Sequence, residues 1–336
     1  LCRIPACGDR VSRVSAASAV AASGDPTLDL LGILCPAPGL AQTMADPPLQ
    51  SQLRLSDLAG SYGCLKSWIS YLRSNPLSDT NNTMSLTIIT GGATGIGAAA
   101  VRKYASEGYD VALLDVNQEK SLKLSQEERP GSVAFFETDV RSRNNVEASV
   151  ASAVAAFGPP SVLFANAGVQ RLSSLFELRD EDIDAVIDTN LKGTIYTVAA
   201  VAQHMREAGE GSIVLMASDQ VFAGKPGSIA YGASKGGVGQ LAKSLSLELS
   251  PLGIRINAIC PATVKTPLTD KIFEDLGEKE YAGDTEAAWK AEAESIPLGR
   301  IASPEEIAKV VYFLSSPEAS FMTGSLVTVD GGFTAQ

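Results

Sequence analysis

From residue 85 onward, short runs of apolar and β-branched residues alternate with longer stretches whose apolar positions recur at helical spacing. The short runs predict strands over 85–90 (S-L-T-I-I-T), 110–115 (D-V-A-L-L-D), 133–137 (V-A-F-F-E), 161–165, 212–217 (S-I-V-L-M-A), 254–260 and 326–329, about seven in all. Helical patterns fill the intervals near 95–107, 117–128, 142–157, 180–208, 229–250 and 304–316. Strands apolar on both faces, each followed by a helix, imply an α/β fold built on a parallel sheet with helices on both faces. The usual handedness of such crossovers makes it a doubly wound open sheet. Only 264–300, rich in Glu, Lys, Ala and Thr, interrupts the rhythm.

No such pattern runs through residues 1–84, apart from a short helix predicted over 61–72. Those residues contain no glutamate, hold six Asp against six Lys and Arg, and carry seven of the 17 prolines. The formal charge of −11 therefore belongs wholly to 85–336, read as one α/β domain. Three readings of 1–84 stand side by side: non-native upstream sequence, a targeting segment, or a disordered extension. The Arg-, Ser- and Ala-rich start suits targeting and organellar import, whereas Met84 directly before the first strand suits a start there. The Asn81-Asn82-Thr83 glycosylation pattern is read as chance.

Charge and composition narrow the chemistry. An excess of 38 acidic over 27 basic side chains argues against a nucleic-acid partner. No run is long and apolar enough to predict a membrane span. A single histidine, His204, leaves no multi-histidine metal site and hardly a serine–histidine triad. Five scattered cysteines make a poor disulfide framework, so a reducing, cytoplasmic setting is expected.

Directly after the first predicted strand comes T-G-G-A-T-G-I-G, which runs straight into a helix. Gly91 lets the chain turn off the strand, Gly95 lets backbone approach a pyrophosphate, and Gly97 lets helix and sheet pack closely. Thr94 and Ile96 complete the loop, whose N–H groups and helix dipole favour an anion. A tight strand-to-helix turn needs glycine for steric reasons too, so the loop alone does not decide. Asp115 ends the second strand, where a carboxylate would accept from ribose hydroxyls and repel a 2′-phosphate; its other reading is an Asx turn or a helix cap. Neither Ala93-Thr94 nor Val116-Asn117 supplies a basic group, so NAD is expected over NADP in this Rossmann-like fold. Asp139, followed by Val140, could meet the adenine edge or be a solvated turn residue.

Tyr231 and Lys235 lie four apart in Y-G-A-S-K and share one face of a helix. An ammonium there, with a cationic nicotinamide ring, would lower the phenol toward a useful range. Ser218 lies at the end of a strand, at the sheet edge where such folds bind ligands.

With these residues the chain resembles the classical short-chain dehydrogenase/reductase family over 85–336. The loop matches T-G-x-x-x-G-x-G, and Ala165-Asn166-Ala167-Gly168 is similar to N-N-A-G. Asn190 falls at the helix asparagine, Pro261 to Thr266 resembles P-G-x-x-x-T, and Asp330-Gly331-Gly332 ends the pattern. Ala165 and Ala262 depart from it, the latter adding a methyl close to the cofactor. The resemblance implies Tyr231 as general acid/base, with Ser218 holding the substrate oxygen and Lys235 binding the nicotinamide ribose. It further implies Asn190 positioning a relay water, and Thr266 with the Val264 backbone anchoring the carboxamide. Met216 and Phe222 are read as packing residues.

Substrate contacts are expected from Gln170-Arg171, from the loop 219–228 with Asp219, Gln220 and Lys225, and from a lid-like 265–300. Few aromatics among them suit a small polar alcohol, sugar or hydroxy acid. Alternatives are a 3-oxoacyl-carrier-protein reductase, disfavoured by the expected NAD preference, and a non-catalytic NAD-binding sensor, disfavoured by the complete residue set. Apolar stripes near 193–205 and 236–249 would permit a homo-oligomer, a dimer or tetramer.

Overall fold

The computed structural model describes residues 85–336. The readings made of 1–84, the helix over 61–72 included, lie outside the described residues. The strands are β1 (Leu86–Thr90), β2 (Asp110–Asp115), β3 (Val133–Glu137), β4 (Pro160–Ala165), β5 (Gly211–Met216), β6 (Ile254–Pro261) and β7 (Leu326–Val329). They form one sheet in the order β3-β2-β1-β4-β5-β6-β7, every neighbouring pair parallel. Each predicted strand is present, with ends displaced by a residue at most.

Alternation along β1 explains the two-sided core. Leu86 and Ile88 join the apolar cluster on one face of the sheet, and Ile89 joins that on the other. The first cluster takes in Val146 and Val150 of α3 (Arg143–Phe157), Val198 and Val201 of α5 (Gly193–Ala208), and Val238 of α6 (Ile229–Leu249). The second takes in Val101 and Tyr104 of α1 (Gly95–Ser106) and Val311 of α9 (Pro304–Ser315). Fully buried Tyr104 is tolerated because its hydroxyl reaches Ser315 Oγ at 2.6 Å. The remaining early helix, α2 (Gln118–Ser125), is capped by the Asn117 side chain.

The helix predicted over 180–208 is not uniform. It begins as α4 (Asp180–Val186), widens into a π-helical turn over Ile187–Lys192, and resumes as α5. The interruption in 264–300 consists of two helices, α7 (Pro267–Glu280) and α8 (Thr285–Ser295), locked together by stacking of Phe273 on Trp289. Strand order reverses between β1 and β4, so the loops beyond their carboxyl ends part and leave a crevice. None of the described helices is long and apolar enough to cross a membrane.

Candidate active site

The crevice, about 910 Å³, is within the size range of small-molecule and cofactor sites. Among the sequence-predicted residues it is lined by Gly91, Thr94, Gly95, Ile96, Asp115, Asp139, Val140, Asn166, Ala167, Gly168, Ser218, Tyr231, Lys235, Pro261, Val264 and Thr266. Gly97 and Asn190 lie just behind this lining and shape it.

At one end the glycine loop is built for close approach. Gly91 and Gly95 have φ of 64° and 53°, a region that strains any side chain bearing a Cβ. A Cβ on Gly97 would stand 2.0 Å from the Gly91 carbonyl oxygen. Thr94 precedes α1 without capping it through its side chain, so the first-turn N–H groups face the crevice uncapped by that residue. Asn166 Nδ2 donates to the Thr90 and Gly91 carbonyls at 3.1 and 3.0 Å, tying the β4 end to the loop. Asp115 accepts from Ala93 N at 3.0 Å and from Asn117 N at 2.8 Å, so it makes the Asx turn and also latches the loop. This uncapped, glycine-lined cradle with a carboxylate beside it fits the pyrophosphate and ribose of a dinucleotide.

Arg141 also lines this end and was not singled out from the sequence. Its guanidinium is held by Asp139 at 2.7 Å, and this pairing keeps the Asp139 carboxyl below the usual carboxylate range. Asp139 also accepts from Arg141 N at 3.0 Å, so it makes a turn here while lining the crevice. Val140 fills the space over Gly193, where a Cβ would meet its Cγ2 at 2.8 Å.

At the centre, α6 places Tyr231 and Lys235 one turn apart, as the spacing predicts. Lys235 is buried, donates to the Met216 carbonyl at 2.6 Å and lies 5.5 Å from the Tyr231 ring centroid. Burial lowers the Lys235 ammonium to about 8. The Tyr231 phenol moves the other way, up to about 12, through burial first and the negative Asp219 second, with the adjoining Ser218 hydroxyl opposing. The lysine by itself does not lower the phenol; the expected lowering joins it with a cationic nicotinamide ring.

Ser218 Oγ donates to Asp219 Oδ1 at 2.6 Å and accepts from Gln220 N at 3.2 Å, making it the cap of a short turn over Asp219–Val221. Asn190 sits in the π-helical turn. Its Oδ1 accepts from Val169 N at 2.8 Å, and its Nδ2 donates to Val169 O at 2.9 Å and Ser234 Oγ at 3.1 Å. It clamps the loop after β4 to α6, and π-helical turns recur at such positions. A Cβ on Gly168 would stand 3.3 Å from Asn190 Oδ1 and 3.7 Å from Lys235 Nζ, so glycine keeps that corner open.

Thr266 caps α7 and its methyl faces Gly95, where a Cβ would approach it to 3.1 Å. The Val264 carbonyl is occupied by Thr269 Oγ1 at 2.6 Å, so that carbonyl is committed within the segment. Ala262 needs no positive φ, since Ala282 alone among the described non-glycine residues has one. Met216 packs in the core as expected. Phe222 does not: its ring is half exposed, because the turn after Ser218 directs it outward.

The other end of the crevice is lined by Asp219, Gln220, Lys225 and Ser228 of the loop 219–228, together with Glu292 and Phe333. Lys225 bridges Asp219 at 3.1 Å and Glu292 at 3.3 Å, joining that loop to α8. Glu292 also accepts from Thr263 Oγ1. Among the described residues no cluster of His, Cys, Asp and Glu could hold a metal ion.

Residues 91–334 match the family model described as Enoyl-(Acyl carrier protein) reductase. The chain is 37% identical over 247 residues to the 3-oxoacyl-(acyl-carrier-protein) reductase FabG of Thermotoga maritima, covering 73% of this chain and 96% of that one. It is 38% identical over 252 residues to the oxidoreductase UcpA of Salmonella typhimurium, covering 74% and 93%. Among solved structures it resembles the ligand-free aldohexose dehydrogenase of Thermoplasma acidophilum, with a TM-score of 0.68, 32% identity and coverage of 75% and 94%. The fold, the glycine cradle and these similarities together place the chain in the classical short-chain dehydrogenase/reductase family of oxidoreductases.

Proposed function

We propose that the protein is an NAD(H)-dependent oxidoreductase that interconverts a secondary alcohol and a carbonyl, with Tyr231 as the general acid/base. One observation carries the reading: a buried lysine with no carboxylate partner among the described residues, held by a backbone carbonyl against the ring of Tyr231, at the carboxyl edge of the sheet. A fold gains nothing from burying an unpaired ammonium, so a functional reason is called for.

The nicotinamide cofactor, when bound, accepts or returns the hydride. Gly91, Gly95 and Gly97 would admit its pyrophosphate and Asp115 its adenosine ribose, while Val264 and Thr266 border the nicotinamide end. The Tyr231 hydroxyl gives its proton to, or takes one from, the substrate oxygen. Ser218 Oγ holds that same oxygen beside the phenol. Lys235 binds ribose hydroxyls and stabilises the phenolate, and cationic charge brought to this buried site draws Tyr231 down from its raised value. Asn190 fixes the loop that borders Lys235, and with it the route by which a relay water reaches the lysine. Asp115 and the occupied Arg141 favour NAD over NADP, because neither leaves a free cation for a 2′-phosphate.

The substrate is a small polar molecule, in line with the hydrogen-bonding groups at the open end and with the aldohexose dehydrogenase likeness. A 3-oxoacyl-carrier-protein reductase is the second reading, favoured by the likeness to FabG. Initial rates with NAD and NADP over polyols, sugars, ketones and a 3-oxoacyl thioester separate the two. Higher kcat/KM with NAD on a polyol or sugar upholds the first, and higher kcat/KM with NADPH on the thioester upholds the second.

A further inference from the structure

A serine hydroxyl has one proton and two lone pairs, and at Ser218 most of them are already committed. The proton goes to Asp219 Oδ1 at 2.6 Å, and one lone pair accepts from Gln220 N at 3.2 Å. What the hydroxyl still offers is a single lone pair. Both residues are buried, Ser218 at 5% exposure and Asp219 at 2%, so water competes little for either.

Asp219 is itself held from behind. Its second oxygen faces the Lys225 ammonium at 3.1 Å, and that ammonium also meets Glu292 at 3.3 Å. Glu292 in turn accepts from Thr263 Oγ1. An ionised carboxylate, paired here with an ammonium, only accepts. Turning the Ser218 hydroxyl round would set its lone pair against the carboxylate and leave a buried acceptor without its donor.

This commitment treats the two members of an alcohol–carbonyl pair differently. A carbonyl oxygen is an acceptor alone. A neutral one competes poorly with a carboxylate for the Ser218 proton, because bonds to ionised acceptors are about twice as strong. Beside Ser218 it therefore meets a lone pair. An alcohol brings its own hydrogen, gives it to Ser218 Oγ and accepts from the Tyr231 hydroxyl. That phenol keeps its proton near neutral pH when no cationic ring is bound, since burial raises it.

We propose that Asp219 is a positioning residue: it fixes Ser218 as a hydrogen-bond acceptor, so that the site takes up its substrate as the alcohol in preference to the matching ketone. This rests on the dehydrogenase reading, in which Ser218 and Tyr231 share the reacting oxygen, and it adds the form in which that substrate is held.

The test is titration calorimetry on the full chain near neutral pH with tetrahydro-NAD, whose ring is uncharged and has no hydride to give. One state of the protein then meets both ligands. The probes are two matched pairs, cyclohexanol with cyclohexanone and glycerol with dihydroxyacetone. In the parent, the alcohol of the better-bound pair should bind at least about tenfold tighter than its ketone, from one hydrogen bond made against one acceptor left facing another. Asp219→Asn keeps the shape and removes the charge. Its amide oxygen stays with Lys225, its Nδ2 donates to Ser218, and the Ser218 proton is released toward the ligand. The ratio should then fall to about one or below, whereas a merely structural role would weaken both ligands alike. If Asp219→Asn does not fold, Ser218→Ala takes its place, and the ratio should fall to about threefold or less. A ketone bound as tightly as the alcohol by the parent, a ratio that the folded variant leaves unchanged, or no binding of either pair overturns the proposal. The dehydrogenase reading stands or falls separately, on turnover of alcohols with NAD or NADP. Binding as expected without any turnover costs that reading and leaves the polarity of Ser218 upheld.

Discussion

Lys235→Met removes a buried ammonium while keeping an unbranched side chain of similar length. Burial lowers this lysine from its ordinary 10.5 to about 8, so the folded chain bears an electrostatic cost while the group is charged. At about pH 6.5 that cost is about 3 kcal/mol, from 1.36 kcal/mol per unit of displacement. Loss of the bond to the Met216 carbonyl gives back about 1–2 kcal/mol. The variant should therefore be more stable than the parent by about 1–2 kcal/mol near pH 6.5, and inactive. The folded value lies below the unfolded one, so between about 8 and 10.5 the unfolded chain binds more protons and the parent gains stability as pH rises. The variant lacks that gain, and its advantage should shrink by about 2 kcal/mol by about pH 9.5. Urea midpoints of both proteins at the two pH values measure this. A variant less stable near pH 6.5, or an equal difference at both pH values, would show that the ammonium is not costly and remove the main support for a functional lysine.

Two further changes probe the cofactor end. In Gly97→Ala the added Cβ meets the Gly91 carbonyl oxygen at 2.0 Å, and backbone has nowhere to move. Calorimetry should show NAD binding weakened at least about 100-fold, with the fold destabilised by about 2 kcal/mol, and binding within threefold of the parent would refute the cradle. Asp115→Ala frees the Ala93 and Asn117 N–H groups and removes the charge that repels a 2′-phosphate. The ratio of kcat/KM for NAD over NADP should fall at least about tenfold, and an unchanged ratio would locate the preference elsewhere.

The strands were legible because both faces of the sheet are covered, so each strand is a continuous apolar run that composition cannot hide. Gly91, Gly95 and Gly97 were equally legible, since steric need fixes the residue type. The π-helical turn around Asn190 was not, because one extra residue in a turn leaves the apolar periodicity of 180–208 nearly unchanged. Nor did the sequence separate α7 from α8: their register depends on Phe273 meeting Trp289, a tertiary contact. Tyr231 and Lys235 stand one turn apart as their spacing implies, but the burial and the Asp219 charge that raise the phenol in the absence of cofactor become visible only in three dimensions. Glu292 lies in a Glu-, Ala- and Lys-rich helix, where nothing local distinguishes it from a solvated face. Its meaning comes from Lys225 and Thr263, which are 67 and 29 residues away in the chain.

The central claim is that the Tyr231 hydroxyl carries the proton of the reaction. Tyr231→Phe removes that oxygen and leaves the ring that packs against Lys235. On whichever alcohol the unaltered protein oxidises best, kcat should fall about 1000-fold or more, within the range general acid–base groups contribute, while NAD affinity and the unfolding midpoint stay close to the parent's. Near-normal turnover in Tyr231→Phe would contradict the account, because the proton would then travel through another group.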